Sequence, residues 1–225
     1  MPAPAIVPSP HRPRRAAALA IAGAALALAA CQRGDSDDTV PSVGTVRRSG
    51  SPAGSASAMP RLTLGADGRV VFSWLERTGD TSIALRTVSR DAAGLWDWPH
   101  DVTRGAPSAY FVNWADFPSA IRLADGTLVA HWLAREGRGT YAYGVRIARS
   151  SDSGATWSAP VTPHTDGLEA EHGFVSLWDA GNGDVGAVWL DGRKSAMPDS
   201  TREMTLRTAR TTAARRRRRP RVAGA

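Results

Sequence analysis

The octapeptide SSDSGATW at Ser150–Trp157 is the clearest indicator of the fold in this sequence. Ser150 and Asp152 are short polar side chains that hydrogen-bond to nearby backbone N–H groups and stabilise turns. Gly154 accepts backbone angles that other residues resist. Trp157 ends the stretch with a large ring, whose burial contributes about 2–3 kcal/mol. The stretch therefore predicts a tight turn that a tryptophan anchors to a hydrophobic core.

Three segments around this turn repeat one plan. Each has Asp-Gly or Asn-Gly, at residues 67–68, 125–126 and 182–183, followed by a short apolar run. These dipeptides tolerate positive φ and favour hairpin turns. The runs share a tryptophan at spacings of 58 and 57 residues: Trp74, Trp132 and Trp189. The next β-prone run of each segment shares an arginine: Arg86, Arg146 and Arg207. Repeats of this length with short strands are typical of β-propeller blades, and no stretch of the repeats has a helical apolar period.

The octapeptide matches Ser-x-Asp-x-Gly-x-x-Trp at all four defining positions and resembles the Asp-box of sialidases and other BNR-repeat propellers. The stretch SRDAAGLW from Ser89 is a degenerate copy, with its glycine one place late. The resemblance spans about residues 61–210. It implies an all-β fold, a partial sialidase-like β-propeller of about three four-stranded blades out of the family's six. The box is structural in that family, so Asp152 is expected to stabilise a turn rather than to act in catalysis or metal binding.

Sialidases use an arginine triad, a tyrosine nucleophile with a glutamate partner, and an aspartate acid/base. This sequence lacks the Arg-Ile-Pro motif that usually carries the first arginine. Its three tyrosines lie in the early repeats: Tyr110, Tyr141 and Tyr143. No catalytic residue is therefore transferred from the family.

Three arginines recur just after the Trp-Leu strand ends, at 58-residue intervals: Arg77, Arg135 and Arg193. Equivalent positions on successive blades share one face, so the guanidinium groups would form a ring that binds a carboxylate or sulfate, as in an acidic glycan. The alternative is that each arginine pairs locally within its own blade.

Asp116, in FVNWADFPS, precedes the first strand of the second repeat and is the candidate general acid. The alternative is a loop-to-strand hydrogen bond. Glu171-His172 precedes the third repeat in a similar place, and a histidine there is more often a turn residue than a metal ligand. His131, in a strand, is expected to be structural. Asp191-Gly192-Arg193 could supply an acid, Asp191, and a basic anchor, Arg193, and the alternative is an Asp-Gly turn. No metal or organic cofactor is predicted.

The first thirty residues predict a lipoprotein signal peptide. Basic residues from His11 to Arg15 precede fifteen apolar residues, which suit a signal segment and are too few to span a bilayer. The segment ends in Leu-Ala-Ala-Cys, which resembles a bacterial lipobox, and Cys31 is the only cysteine. Lipid on Cys31 would anchor the protein to a membrane of the bacterial cell envelope, on the periplasmic side or at the surface. The alternative is an ordinary secretory signal with an incidental cysteine.

Composition defines the remaining segments. Residues 31–60 are rich in Ser, Gly, Pro and Ala and predict a flexible linker. The formal charge of +7 comes from arginines near the two ends, and residues 31–210 carry −2. A nucleic-acid partner is therefore excluded.

Residues 211–225 predict a basic, disordered tail. The alternatives for this tail are a solvated or membrane-contacting segment and a truncated or frameshifted end. Because three blades cannot close a propeller, an oligomer or a partner would cap the open edge. The predicted function is glycan-directed, of the exo-sialidase or glycoside hydrolase type, with no activity if blades are missing. The alternative is a non-catalytic module that binds glycan or protein.

Overall fold

The structure is a computed structural model that describes residues 44–46, 48–197 and 203–212. The chain divides into two units, residues 1–49 and 50–225, and all the strands belong to the second. The predicted signal segment, Cys31 and the tail beyond residue 212 lie outside the described residues. Within the described part, no helix has the length and apolar character needed to cross a membrane.

Ten strands of the described residues form three antiparallel sheets. The first sheet contains β1 Ser57–Leu64, β2 Val70–Gly79, β3 Ser82–Arg90 and β4 His100–Gly105. The second contains β5 Ser119–Arg122, β6 Leu128–Arg135 and β7 Tyr143–Ser150. The third contains β8 His172–Gly181, β9 Asp184–Asp191 and β10 Thr205–Thr211. Two short 3₁₀ turns, Pro107–Ala109 and Arg193–Ala196, are the helical elements among the described residues.

The sheets are successive blades of a partial propeller. Strands of each blade follow one another in chain order, and the first strands lie side by side, with β1 contacting β5 and β5 contacting β8. The Thr63 hydroxyl donates a hydrogen bond of 2.6 Å to the Ala120 carbonyl between two of these strands. The first strands therefore line the propeller axis, and the prediction of an all-β, partial propeller is confirmed.

The repeated Gly positions are turns of the expected kind. Gly68, Gly126 and Gly183 have φ of 77°, 86° and 77°, in the left-handed region that a side chain rarely adopts. Each lies between the first and second strand of its blade. The turns at 67–68 and 125–126 have a positive φ at the glycine only, whereas Asn182 and Gly183 both have positive φ, as in a type I′ hairpin turn.

The tryptophans and arginines of the repeat are cross-strand partners. Each tryptophan of the second strand pairs with the arginine of the third: Trp74 with Arg86, Trp132 with Arg146, and Trp189 with Arg207. The three tryptophans are buried. Identical register in the three blades explains why both residues recur at one spacing, since a slip of one residue would move the ring to the opposite face.

Two hydrophobic cores fill the spaces between neighbouring blades. The first joins side chains of the first and second blades, such as Leu85 and Trp132. The second joins the second and third blades, such as Val145 and Trp189. The repeats are held together by apolar side chains buried between neighbouring blades. A single sheet can bury its apolar faces only against another element, here the next blade.

The structure changes two boundaries of the predicted organisation. β1 begins at Ser57, so residues 57–60 belong to the first blade rather than to the linker. Thr211 belongs to β10 rather than to the tail. Among the described residues only the first sheet has four strands. In the second, a single bridge between Ile147 and Val161 stands where a fourth strand would pair.

Candidate functional site

One face of the propeller collects the polar residues that the sequence singles out. Because the strands are antiparallel, the start of the first strand, the end of the second and the start of the third meet at one edge of each blade. Asp116 and Glu171 precede first strands, and Tyr143 starts a third strand. The three residues therefore lie on the same face, which we call the upper face.

A short turn and a β-bulge hold Asp116. The Asn113 carboxamide oxygen accepts the Ala115 N–H at 3.1 Å, an Asx turn that leads into Asp116. Asp116 Oδ2 accepts the Phe174 N–H at 2.7 Å. Phe174 has φ of 54°, and the pairing of β8 shifts at this point. A bulky residue in the left-handed region is strained, and such strain is concentrated at functional sites.

Tyr143 and Glu171 form the second half of the site. The Tyr143 hydroxyl donates a hydrogen bond of 2.6 Å to Glu171 Oε1, and its ring stacks on Phe111 at 3.7 Å. A Cβ on Gly173 would overlap Asp116 Oδ2 and would lie 3.0 Å from the Tyr143 hydroxyl oxygen. Absence of a side chain at Gly173 thus lets Asp116 and Tyr143 approach each other.

The surroundings change the acidity of two of these groups. Burial raises the pKa of Asp116 to about 6, although the Phe174 N–H lowers it, and the charge of Glu171 raises it further. Burial and the hydrogen bond to Glu171 also raise the pKa of Tyr143. Asp116 therefore holds its proton in mildly acidic solution, as a general acid must, and the Tyr143 phenol stays protonated.

A buried charge network lies under Glu171. His172 Nε2 lies 3.0 Å from Asp166 Oδ2, and His172 Nδ1 lies 3.1 Å from the Ala170 carbonyl oxygen. Both ring nitrogens of His172 therefore lie close to oxygen atoms of the network. Arg193 binds Asp191 at 2.6 Å and Asp166 at 2.8 Å. Arg193 thus bridges the two carboxylates, and His172 contacts Asp166 beside it.

The network keeps its carboxylates ionised. Burial alone would raise the pKa of Asp191, but hydrogen bonds from Arg193 and Trp189 hold it at about 2. The pKa of Asp166 is lowered as well, because hydrogen bonds from Leu168 and His172 outweigh its burial. The sequence offered Asp191 as an acid and Arg193 as a residue that holds it in place. In the structure these two side chains form an ion pair beneath the site.

Two groups of side chains bring metal-type donor atoms within 4.8 Å of one another: Glu136, His164 and His172, and Asp166, His172 and Asp191. Both depend on His172, whose nitrogens face oxygen acceptors. The rings of His164 and His172 stack in parallel at 3.8 Å, so their in-plane lone pairs do not converge on one point. The Val145 N–H already donates to His164 Nε2 at 3.2 Å. We assign both groups to the hydrogen-bond network.

The three repeated arginines have separate local partners. Arg77 donates to the Asp80 carbonyl at 3.4 Å, and the Arg135 guanidinium lies 5.5 Å from the centre of the Phe111 ring. Arg193 is engaged by the buried network. The structure thus places the three on the upper face as the repeat requires, each with its own contacts. Arg61 in β1, which the sequence reading omits, has no carboxylate partner among the described residues.

The octapeptide lies at the opposite edge of its blade, after β7. Ser150 Oγ accepts the Gly154 N–H at 2.8 Å, and Asp152 Oδ1 accepts the Thr156 N–H at 2.9 Å. Gly154 has φ of 96°. Trp157 packs against the first hydrophobic core. Hydrogen bonds from the Thr156 hydroxyl and N–H lower the pKa of Asp152 to about 2, so this carboxylate is an acceptor in a self-bonded turn.

Two open spaces adjoin the site. A small pocket of about 190 Å³, which we call the axis pocket, is lined by Arg61, Asp116, Ser119, Phe174 and neighbouring residues of β5 and β8. A larger cleft of about 580 Å³, the Tyr141 cleft, is lined by residues 139–142, 169–171, 192, 195 and 196. Asp116 reaches the first and Glu171 reaches the second. Tyr143 lines neither, and its residue surface is 1% exposed.

The sequence alone identified Asp116 and noted Glu171, but it set Tyr143 aside because of its early repeat. The Tyr143–Glu171 contact joins residues 28 positions apart in different blades. The pair could be found from the sequence by noting that Tyr143 starts a third strand and that Glu171 immediately precedes a first strand, so both lie at the upper face.

No protein-family model and no curated protein matches the sequence. Its structure is similar to the Penicillium chrysogenum alpha-L-arabinanase complexed with arabinobiose, with 15% identity and a TM-score of 0.48 over 68% of this chain and 46% of that one. A Hadza microbial sialidase has 15% identity and a TM-score of 0.44 over 69% and 35%. The Bacteroides thetaiotaomicron endo-arabinase has 16% identity and a TM-score of 0.40 over 70% and 56%. The chain spans about half or less of the first two structures, and the likeness says nothing about its chemistry.

Proposed function

We propose that the upper face is part of a glycan-hydrolysing centre in which Asp116 and Glu171 act as the two carboxyl groups. A single observation carries the proposal: a buried carboxyl whose pKa is raised to about 6 lies beside a carboxylate that a tyrosine holds at 2.6 Å. Most glycoside hydrolases use one protonated and one ionised carboxyl group that flank the bond to be cleaved.

The roles follow from the surroundings of each group. Asp116 keeps its proton below about pH 6 and donates it to the oxygen of the leaving group. Glu171, oriented by the Tyr143 hydroxyl, acts on the anomeric carbon, either directly or by removing a proton from water. Both carboxyl groups border an open space. Tyr143 is therefore a positioning residue, since its buried ring supplies a hydrogen bond rather than a surface for substrate.

The exo-sialidase form of this function assigns different roles to the same residues. Tyr143 would be the nucleophile, Glu171 would accept its proton, and Arg61 in the axis pocket would bind the carboxylate of an acidic glycan. The burial of Tyr143 favours the two-carboxyl form, which uses only groups that border open space. Removal of the Tyr143 hydroxyl distinguishes the two forms.

The test uses the full chain and a panel of fluorogenic glycosides that includes a sialoside and an arabinofuranoside. Asp116→Asn and Glu171→Gln should each lower kcat about 10²–10⁴-fold. Tyr143→Phe should lower it about tenfold if the hydroxyl only positions Glu171, whereas complete loss would indicate a nucleophile. Asp152→Asn, on the opposite face, is the matched control and should keep the rate. Equal rates in all four variants would refute the proposal.

A non-catalytic function as a glycan- or protein-binding module is the second candidate. Trp114 is 82% exposed two residues before Asp116, and Phe174 is 42% exposed beside it. Exposed aromatic rings around a polar pocket offer stacking surfaces for sugar rings. Saturable glycan binding without turnover, lost in Trp114→Ala, would favour this candidate.

We also propose that lipid on Cys31 holds the protein in the bacterial cell envelope. The proposal rests on the lipobox-like sequence alone. Incorporation of labelled palmitate into the wild type but not into Cys31→Ser tests it, and equal labelling of both would refute it.

A further inference from the structure

The two spaces beside the site differ in what they can hold. Ligand pockets in proteins usually have volumes of about 300–1,000 Å³. The Tyr141 cleft, at about 580 Å³, is within this range, whereas the axis pocket, at about 190 Å³, is below it. Because Glu171 borders the cleft, a molecule bound there reaches the proposed site of bond cleavage.

Tyr141 provides the cleft with an aromatic wall. Its residue surface is 59% exposed, and its hydroxyl forms no hydrogen bond with any described residue. Tyr141 lies in the turn before β7, whereas Tyr143 at the start of β7 is buried. An aromatic ring exposed in a concave wall can stack on the apolar face of a sugar, and its hydroxyl remains available for a polar contact.

The charged groups in the lining of the cleft are two carboxylates. Glu169 and Glu171 flank the buried Ala170 and both line the cleft. The Glu169 carboxylate has no hydrogen bond or ion pair with a described residue. The nearby Arg193 is held by Asp191 and Asp166. The lining of the cleft contains two carboxylates and neither Arg nor Lys, so it suits the hydroxyl groups of a neutral sugar and repels an anionic one.

We propose that the Tyr141 cleft binds a neutral sugar ring on the far side of the bond that Asp116 and Glu171 cleave. The substrate is then an oligosaccharide rather than a single sugar with a small leaving group. This inference rests on the proposed function, because Glu171 belongs to both the cleft and the catalytic pair.

The test compares two substrates with the same terminal sugar: an oligosaccharide (sialyllactose or arabinotriose) and the corresponding methyl glycoside, which has no ring to fill the cleft. Tyr141→Ala should lower kcat/KM for the oligosaccharide about five- to tenfold, mainly by raising KM, and leave the methyl glycoside unchanged. Tyr141→Phe keeps the stacking ring and should retain most of the preference. Trp98→Ala removes another exposed ring far along the sequence and should change neither substrate.

A binding measurement separates this inference from the proposed function. Lactose and arabinobiose are titrated against the full chain by calorimetry, without any requirement for turnover. One outcome is that no glycoside is hydrolysed but one disaccharide binds, with an affinity that Tyr141→Ala lowers at least fivefold and Trp98→Ala does not change. This outcome would support the cleft as a sugar site and refute the catalytic proposal. If hydrolysis occurs and Tyr141→Ala lowers both substrates equally or neither, the cleft is refuted. Absence of both hydrolysis and disaccharide binding also refutes it.

Discussion

Asp116→Asn should stabilise the protein above neutral pH while removing its proposed activity. The wild-type carboxyl is 3% exposed and has a pKa of about 6 instead of 3.8. At about 1.36 kcal/mol per pH unit, this difference corresponds to about 3 kcal/mol between the two protonation states. The amide has nearly the same shape, and its oxygen still accepts the Phe174 N–H, but it carries no charge to bury.

The sign follows from the raised pKa. A carboxyl whose pKa is higher in the folded state stabilises the fold fully below its unfolded value of about 3.9, and this contribution is lost as the pH rises through about 6. The free energy of unfolding of the wild type should therefore fall relative to that of Asp116→Asn between pH 4 and 7. The difference should approach about 3 kcal/mol at pH 8 and fall below about 1 kcal/mol at pH 4.

Urea unfolding of both proteins at pH 4, 5, 6, 7 and 8, followed by tryptophan fluorescence, measures this difference directly. Asp152→Asn is a control of opposite sign, because the pKa of Asp152 is lowered to about 2. Its loss should destabilise the protein at pH 7 and matter less as the pH falls towards 2. A wild type that is more stable than Asp116→Asn at pH 8, or a difference that does not change with pH, would refute the reasoning.

Two further predictions concern the residues that support the site. Gly173→Ala should lower both the activity and the stability, because the new methyl group overlaps the Asp116 carboxylate. The control is Gly167→Ala, at a turn with free space but a φ of 67°, which should lower the stability alone. Unchanged kinetics in Gly173→Ala would contradict the packing argument. His172→Ala should lower the free energy of unfolding by about 3 kcal/mol at pH 7, since the buried Asp166 carboxylate then loses its contact with the His172 ring. That loss should shrink at pH 3, where the unfolded carboxyl groups are protonated, and a loss that urea unfolding finds to be independent of pH would contradict the assignment of the network.

The blade repeat could be predicted because its causes are local. Asp-Gly and Asn-Gly turns, short apolar runs and equally spaced tryptophans each follow from conformational preference and from the period of a strand. The structure adds that each tryptophan pairs with the arginine of the next strand. The number of strands per blade was harder to predict, and only the first of the three described sheets has the expected four. A fourth strand forms only where the third strand leaves its outer edge open for pairing, and the local sequence does not determine this.

The site was only partly predictable. Asp116 is recognisable by its place before a first strand, and its role stays a prediction. Tyr143 was set aside through the family pattern, yet it touches Glu171 across a blade boundary. Arg61 carries no local signal and is noticeable only because it lines the same pocket as Asp116.

The sequence by itself determined the all-β class, the blade spacing and the turn at Ser150–Trp157, since these depend on residues within one repeat. The tertiary structure decided which polar side chains meet. Burial and the charge of Glu171 raise the pKa of Asp116, and a backbone N–H of the bulge in β8 opposes them. Those groups come together only when the second and third blades pack, because burial and through-space charge depend on distances that residue spacing along the chain does not define.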